Sequence, residues 1–169
     1  VYRFGPGWGK DRLADTGSTG STDTIEFTAG VTSDQVLLRR QATGTEAARN
    51  LAYTTNMVVA SGADTIVVLG QDGTGAMEQV RFVDAGGLVS ETWDAARIRA
   101  EMLRPTAGND LIVGSNLAES LQGDAGDDTL LGGAGGLFNQ VDSFVANAGA
   151  DTFDGGAGDD LLIGGYAAD

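Results

Sequence analysis

Between residues 105 and 169 the chain repeats one small unit: an acid, any residue, then a large apolar side chain. The pairs are Asp110/Ile112, Glu119/Leu121, Asp128/Leu130, Asp142/Phe144, Asp151/Phe153 and Asp160/Leu162. Asp169 extends the series, and the acids stand 9, 9, 14, 9, 9 and 9 residues apart. Glycines fill the residues before most of them. The clearest copies are Gly-Asp-Ala-Gly-Asp-Asp-Thr-Leu-Leu (123–131) and Gly-Gly-Ala-Gly-Asp-Asp-Leu-Leu-Ile (155–163). A short apolar run bounded by glycine-rich turns predicts a three-residue strand, its middle side chain facing inward by the period of two. Two nine-residue units then make one coil, so turns on one edge are adjacent in space. This phasing puts Asp110, Asp128, Asp151 and Asp169 on one edge, and Glu119, Asp142 and Asp160 on the other. The step of 14 is read as a regular step with five residues inserted in the turn Gly132–Asp142, which keeps Phe144 in the core between Leu121 and Leu162.

Residues 1–104 show the longer alternations of ordinary strands. Candidates are 1–4, 23–28, 35–40, 51–60, 64–70 and 78–84, rich in β-branched and aromatic residues and separated by Gly, Ser, Thr and Asp. A helix is predicted from Asp94 as N-cap to Leu103, stopped by Pro105. An irregular copy of the acid–x–apolar unit opens the chain, with Asp11 and Leu13 after Gly5-Pro-Gly-Trp-Gly, and Asp23 with Ile25 repeats it. The chain is therefore expected to open on the last turns of one roll, cross a mixed β block, and enter a second roll. The expected class is all-β: a parallel β-roll over 105–169, preceded by a mixed β block with one short helix over 1–104.

Charge sharpens this division. Of 169 residues, ten are Lys or Arg and 24 are Asp or Glu, giving a net charge of −14. All ten bases lie in 1–104 beside 13 acids, while 105–169 carries 11 acids and no base. Such a segment repels itself, nucleic acid and anionic membrane unless cations neutralise it. There is no Cys and no His, which excludes disulfides, thiol chemistry and His-based acid/base catalysis. No apolar run of about 18 residues is present, so no membrane-spanning helix is expected. No signal peptide is visible, and the opening Val-Tyr-Arg-Phe reads as a piece of a longer protein.

Phased carboxylates among glycines suit a hard cation. Calcium takes six to eight oxygens, from carboxylates, backbone carbonyls and water. A glycine-rich turn can aim several carbonyls inward, because glycine accepts the backbone conformations required. The acid closing the turn adds a carboxylate, and an ion held between stacked turns would offset their repulsion. Several ions are expected. The turn Gly114-Ser-Asn-Leu-Ala-Glu119 lacks the later glycine. Glu119 is read either as a ligand or as a solvated acid, and Asp142 either as a ligand or as a loop acid.

The nonapeptide G-G-x-G-x-D-x-U-x resembles the haemolysin-type calcium-binding (RTX) repeat. Residues 1–104 resemble the domain found between RTX arrays. The matching residues are Tyr2-Arg-Phe-Gly, Asp11, Asp23-Thr-Ile-Glu-Phe, Met77-Glu-Gln-Val-Arg-Phe-Val-Asp84, Trp93-Asp94 and Ile98. The resemblance implies a calcium-binding roll in a protein exported through a type I channel, unfolded in transit and folded by extracellular calcium. It implies side-chain ligands at Asp110, Asp128, Asp142, Asp151 and Asp160, with Asp11 and Asp23 at the first roll. Carbonyls near Gly108, Gly126, Gly133, Gly149, Gly156 and Gly158 would complete the sites.

The expected role is a calcium-binding folding scaffold and spacer in a larger secreted parent chain, with no catalysis of its own. Calcium-dependent adhesion or self-assembly, through cell-surface or glycan contacts, is the alternative. It is motivated by apolar residues at the flanking strand positions Leu111, Val113, Leu131, Val145, Leu161 and Ile163, expected to face outward. A toxin or hydrolase whose catalytic domain lies outside these residues is the third reading.

Overall fold

A computed structural model describes residues 1–15, 22–43, 52–71, 76–115, 117–132 and 152–163. The chain forms two compact units, one of Val1–Arg39 with Thr55–Met102, the other of Leu103–Asp169 with Arg40–Thr54. The described residues are mostly β, with one short helix.

In the first unit, strands β1 (Tyr2–Phe4), β3 (Thr24–Phe27), β7 (Gln79–Val83) and β8 (Val89–Asp94) form one sheet in the order β1-β3-β7-β8. Strands β2 (Lys10–Ala14), β6 (Asp64–Leu69), β5 (Ala52–Ser61) and β4 (Leu37–Thr43) form another, in the order β2-β6-β5-β4. β1, β3 and β7 are parallel, as are β2 and β6. The chain therefore alternates between sheets and returns beside its own earlier strands, as a coil does. β5 runs antiparallel to β6, and β8 runs antiparallel to β7. The block expected as mixed β thus winds like the repeats, with antiparallel strands added to it.

Alternation explains its core. Ile25 and Phe27 pair with Val80 and Phe82, and all four are buried. Phe27 stacks on Phe82, whose ring meets Trp93 edge-on at 4.9 Å. Leu13, Met57, Val59, Ile66 and Val68 of the other sheet belong to the same core cluster. Glu26 sits between Arg3 and Arg81 in the paired register, and Arg3 Nε reaches its Oε1 at 2.7 Å. The aliphatic and aromatic face is thus backed by a cross-strand charge ladder.

The helix α1 (Ala95–Met102) begins where expected: Asp94 Oδ1 accepts the Arg97 N–H at 2.8 Å, an N-cap bond. Two strands escaped the sequence reading. β2 is charged or alanine at every position but Leu13, its one buried residue; β8 buries only Trp93. Their burial comes from neighbouring strands rather than from their own apolar content.

In the second unit, β9 (Leu111–Val113), β11 (Thr129–Leu131) and β13 (Leu161–Ile163) form a parallel sheet in the order β13-β11-β9. β10 (Ser120–Gln122) pairs in parallel with β12 (Thr152–Asp154). Three-residue strands alternating between parallel sheets are a β-roll. Ile112, Leu121 and Leu130 are fully buried between the strands, with Leu103 and Phe153 packed against them.

This register corrects the expected edges. Leu121 pairs with Phe153, and Leu130 with Leu162. Asp160 therefore follows Asp128 on one edge, and on the other the Thr152 N–H donates to the Glu119 carbonyl at 2.9 Å. The five residues read as inserted in the turn Gly132–Asp142 lie outside the described residues. Spacing alone counts acid–x–apolar units, whereas only hydrogen-bonded pairing decides which unit becomes a rung. Asp142, Phe144, Asp151 and Asp169 themselves lie outside the described residues.

Candidate metal centre

The edge Asp110–Asp128–Asp160 is built as a ladder of carboxylates and amides. Asp128 Oδ1 accepts the Asp110 N–H at 2.8 Å, and Asp160 Oδ1 accepts the Asp128 N–H at 3.0 Å. Each acid thus caps the coil before it. Asp110 turns back within its own turn, its Oδ2 accepting the Thr106 N–H at 2.6 Å. Asp128 is only 1% exposed, and its Oδ2 has no hydrogen-bond partner. A buried carboxylate oxygen without a donor is costly, because its lost hydration is not replaced.

The glycines shape the space around that oxygen. A Cβ on Gly123 would strike Asp128 Oδ2 and lie 2.5 Å from the Gly155 carbonyl oxygen. One coil on, a Cβ on Gly155 would strike Asp160 Oδ2. The first glycine of each turn is thus required by the approach of its own closing acid. Gly126 is required differently: its φ is 127°, and a Cβ there would lie 2.7 Å from the Gly108 carbonyl carbon. Coil-to-coil amide bonds, Gly126 N–H to Ala157 O at 2.9 Å and Ala157 N–H to Asp124 O at 2.8 Å, hold the turns in this contact.

These donors fit a hard divalent cation. They are oxygens, one buried oxygen lacks a partner, and glycine keeps a carbonyl close to it. Among the described residues no three of His, Cys, Asp and Glu converge as a metal-binding group. A site here must therefore draw much of its shell from backbone carbonyls.

The structure brings Asp110, Asp128 and Asp160, with Gly108, Gly126, Gly156 and Gly158, to one edge. Asp142, Asp151, Gly133 and Gly149 fall outside the described residues. Glu119 stands apart on the other edge: Ser115 N–H reaches its Oε2 at 2.5 Å and Ser115 Oγ its Oε1 at 2.7 Å. The exposed fifth position of the repeat also forms rungs. Asp127 N–H donates to Asn109 Oδ1 at 3.1 Å, and Asp159 N–H to Asp127 Oδ1 at 3.0 Å. Asn109 and Ser115 had no signal beyond their place in the turn. The outward reading of the strand ends is corrected in part: Val113 and Leu131 are buried, while Leu111 is 38% and Leu161 36% exposed. Val145 and the Ile163 side chain are outside the description.

The same rung appears in the first unit. Gly9 N–H donates to Asp64 Oδ1 at 2.9 Å, and Asp23 N–H to Glu78 Oε2 at 2.7 Å. Asp64-Thr-Ile66 and Glu78-Gln-Val80 carry the acid–x–apolar unit, a signal the sequence held but the reading passed over. Asp11 is not at such a rung. It lies exposed within β2, paired with Ile66, and Gly9 occupies the place beside Asp64. The glycine turn before it set the wrong register by two residues. Asp23 does lie among acids. Its carboxyl is raised above the ordinary range by partial burial, by a hydrogen bond with Asp15, and by the charges of Asp15 and Glu78.

Residues 113–136 and 139–166 match the RTX calcium-binding nonapeptide repeat, in four copies. No curated protein and no solved structure matches the chain. The coiled parallel strands, the carboxylate edge and this match agree: residues 113–166 of the chain are RTX repeats, which bind Ca2+ as a structural ligand.

Proposed function

We propose that this chain is a calcium-dependent folding module of a larger secreted RTX protein. The carrying observation is Asp128, buried, with one carboxylate oxygen committed to the Asp110 amide and the other without a partner. Asp110, Asp128 and Asp160 would supply side-chain oxygens, and Gly108, Gly126, Gly156 and Gly158 backbone carbonyls. Asp142, Asp151, Gly133 and Gly149 carry the pattern for further sites. Bound calcium supplies positive charge between turns that otherwise hold only acids. The chain's own part is to align the turns through its amide–carboxylate rungs and to seal them over a thin core of Ile112, Leu121 and Leu130. Binding free energy is then folding free energy. Export unfolded and folding outside the cell follow naturally, and residues 1–104 serve as the RTX-associated block that precedes the roll in sequence. Catalysis is assigned to the parent chain, not to these residues.

Circular dichroism of metal-depleted protein tests the reading. Calcium at roughly 10⁻⁴–10⁻³ M, the range of extracellular modules, should raise the β signal, and magnesium should replace it poorly because it demands a smaller octahedral shell. Trp8 and Trp93 both lie in the first unit, so tryptophan fluorescence follows that unit separately. A dichroism spectrum indifferent to calcium would refute the proposal. Calcium-dependent self-association is the second reading, supported by exposed Leu111 and Leu161 on one sheet. Calcium-induced oligomers in size-exclusion chromatography would favour it.

A further inference from the structure

We infer that the turn Gly114–Glu119 is a metal-free clasp, so that calcium loads the Asp110–Asp128–Asp160 edge and skips this turn. The inference rests on the calcium-binding reading above. The two edges differ in how their closing acids are spent. Asp128 keeps an oxygen that no donor reaches. Glu119 keeps none: Ser115 N–H holds Oε2 at 2.5 Å and Ser115 Oγ holds Oε1 at 2.7 Å. Ser115 Oγ in turn accepts the Leu117 N–H at 3.2 Å, which extends the clasp along the turn.

The chemistry favours the clasp over an ion. Hydrogen bonds to an ionised carboxylate are among the stronger ones, and a two-point contact fixes geometry as well. Ser115 is buried, so withdrawing Glu119 to a cation would strand a buried amide and hydroxyl. The extra methylene of glutamate lets the carboxylate reach back four residues to both groups. Asp110, one methylene shorter, reaches back four residues to the amide of Thr106. The turn also lacks the second glycine that lets a neighbouring turn aim its carbonyls inward. A serine and a glutamate thus do with hydrogen bonds what the glycine turns leave to an ion.

Calorimetric calcium titration of the full chain tests this with Glu119→Gln, Ser115→Ala and Asp128→Asn, thermal unfolding being recorded for each. Glu119→Gln and Ser115→Ala should bind as many ions as the parent, their midpoints moving only by the stability each variant loses. Both should unfold at lower temperature in saturating calcium, and the double variant should lose less than the sum of the two. Asp128→Asn should lose calcium. Loss of an ion in Glu119→Gln, or in Ser115→Ala if the glutamine variant does not fold, would overturn the clasp. Strictly additive unfolding shifts would overturn it as well. Absence of any calcium binding by the parent would instead overturn the proposed function, so the two failures are distinct.

Discussion

Asp128→Asn should be a calcium-dependent defect, and the structure sets its size. The amide oxygen of asparagine can still accept the Asp110 N–H now held at 2.8 Å. That bond weakens from charge-assisted to neutral, a loss of about 1 kcal/mol. Against this, the variant removes a buried charge whose Oδ2 has no partner, and relief of such burial is worth several kcal/mol at most sites. Without calcium the substitution should therefore be neutral or stabilising. With calcium it removes the negative oxygen that no protein donor reaches. A roughly 100-fold weaker ion costs about 2.7 kcal/mol at saturation. For a unit of this size each kcal/mol is worth about 4–8 °C, so the melting temperature should fall by about 10–20 °C. Differential scanning fluorimetry against the logarithm of calcium concentration is the assay. The parent line should be the steeper, and the two should converge or cross at low calcium. Parallel lines would mean that Asp128 acts through its hydrogen bond alone, and would refute its role as a ligand.

Asp127→Ala should cost less than Asp128→Ala and shift the calcium midpoint less, but it should not be silent. It removes the acceptor of the Asp159 amide at 3.0 Å, worth about 1 kcal/mol, and equal calcium midpoints for Asp127→Ala and Asp128→Ala would refute the phasing. Deleting Gly136–Gly149 joins Gly132-Gly-Ala-Gly to Ala150-Asp151, a regular turn one step of nine after Asp128. The shortened chain should keep its calcium-dependent fold, and loss of that fold would show the deleted stretch to be a structural part of the roll. Asp23→Asn should raise the melting temperature of the first unit at neutral pH, read by tryptophan fluorescence. The folded state raises the Asp23 carboxyl, first through partial burial, so the stability tied to its protonation is full below the ordinary value of 3.8 and lost as pH rises through the folded value. The gain should therefore vanish at pH below that ordinary value, and a gain independent of pH would refute the cause.

The sequence by itself determined the repeat: its acids, its glycines, its core positions and its cation chemistry. Each of these is local. A strand of three residues with one inward side chain is written in nine residues, and Ile112, Leu121 and Leu130 are buried as that period demands. The N-cap at Asp94 was legible for the same reason, since a cap serves amides within its own turn. Which coil stacks on which was not local. Spacing put Asp128 and Asp160 on opposite edges, and only the pairing of Leu130 with Leu162 put Asp160 beside Asp128. The coiling of residues 1–94 was hidden likewise, because Leu13 and Trp93 are the sole buried residues of β2 and β8 and acquire their burial from other strands. Tertiary structure alone decided how each carboxylate is spent. Asp128 and Glu119 occupy one position in the repeat, yet one faces a backbone amide with an oxygen to spare and the other is closed by Ser115, because hydrogen bonds depend on distances that spacing in sequence does not set.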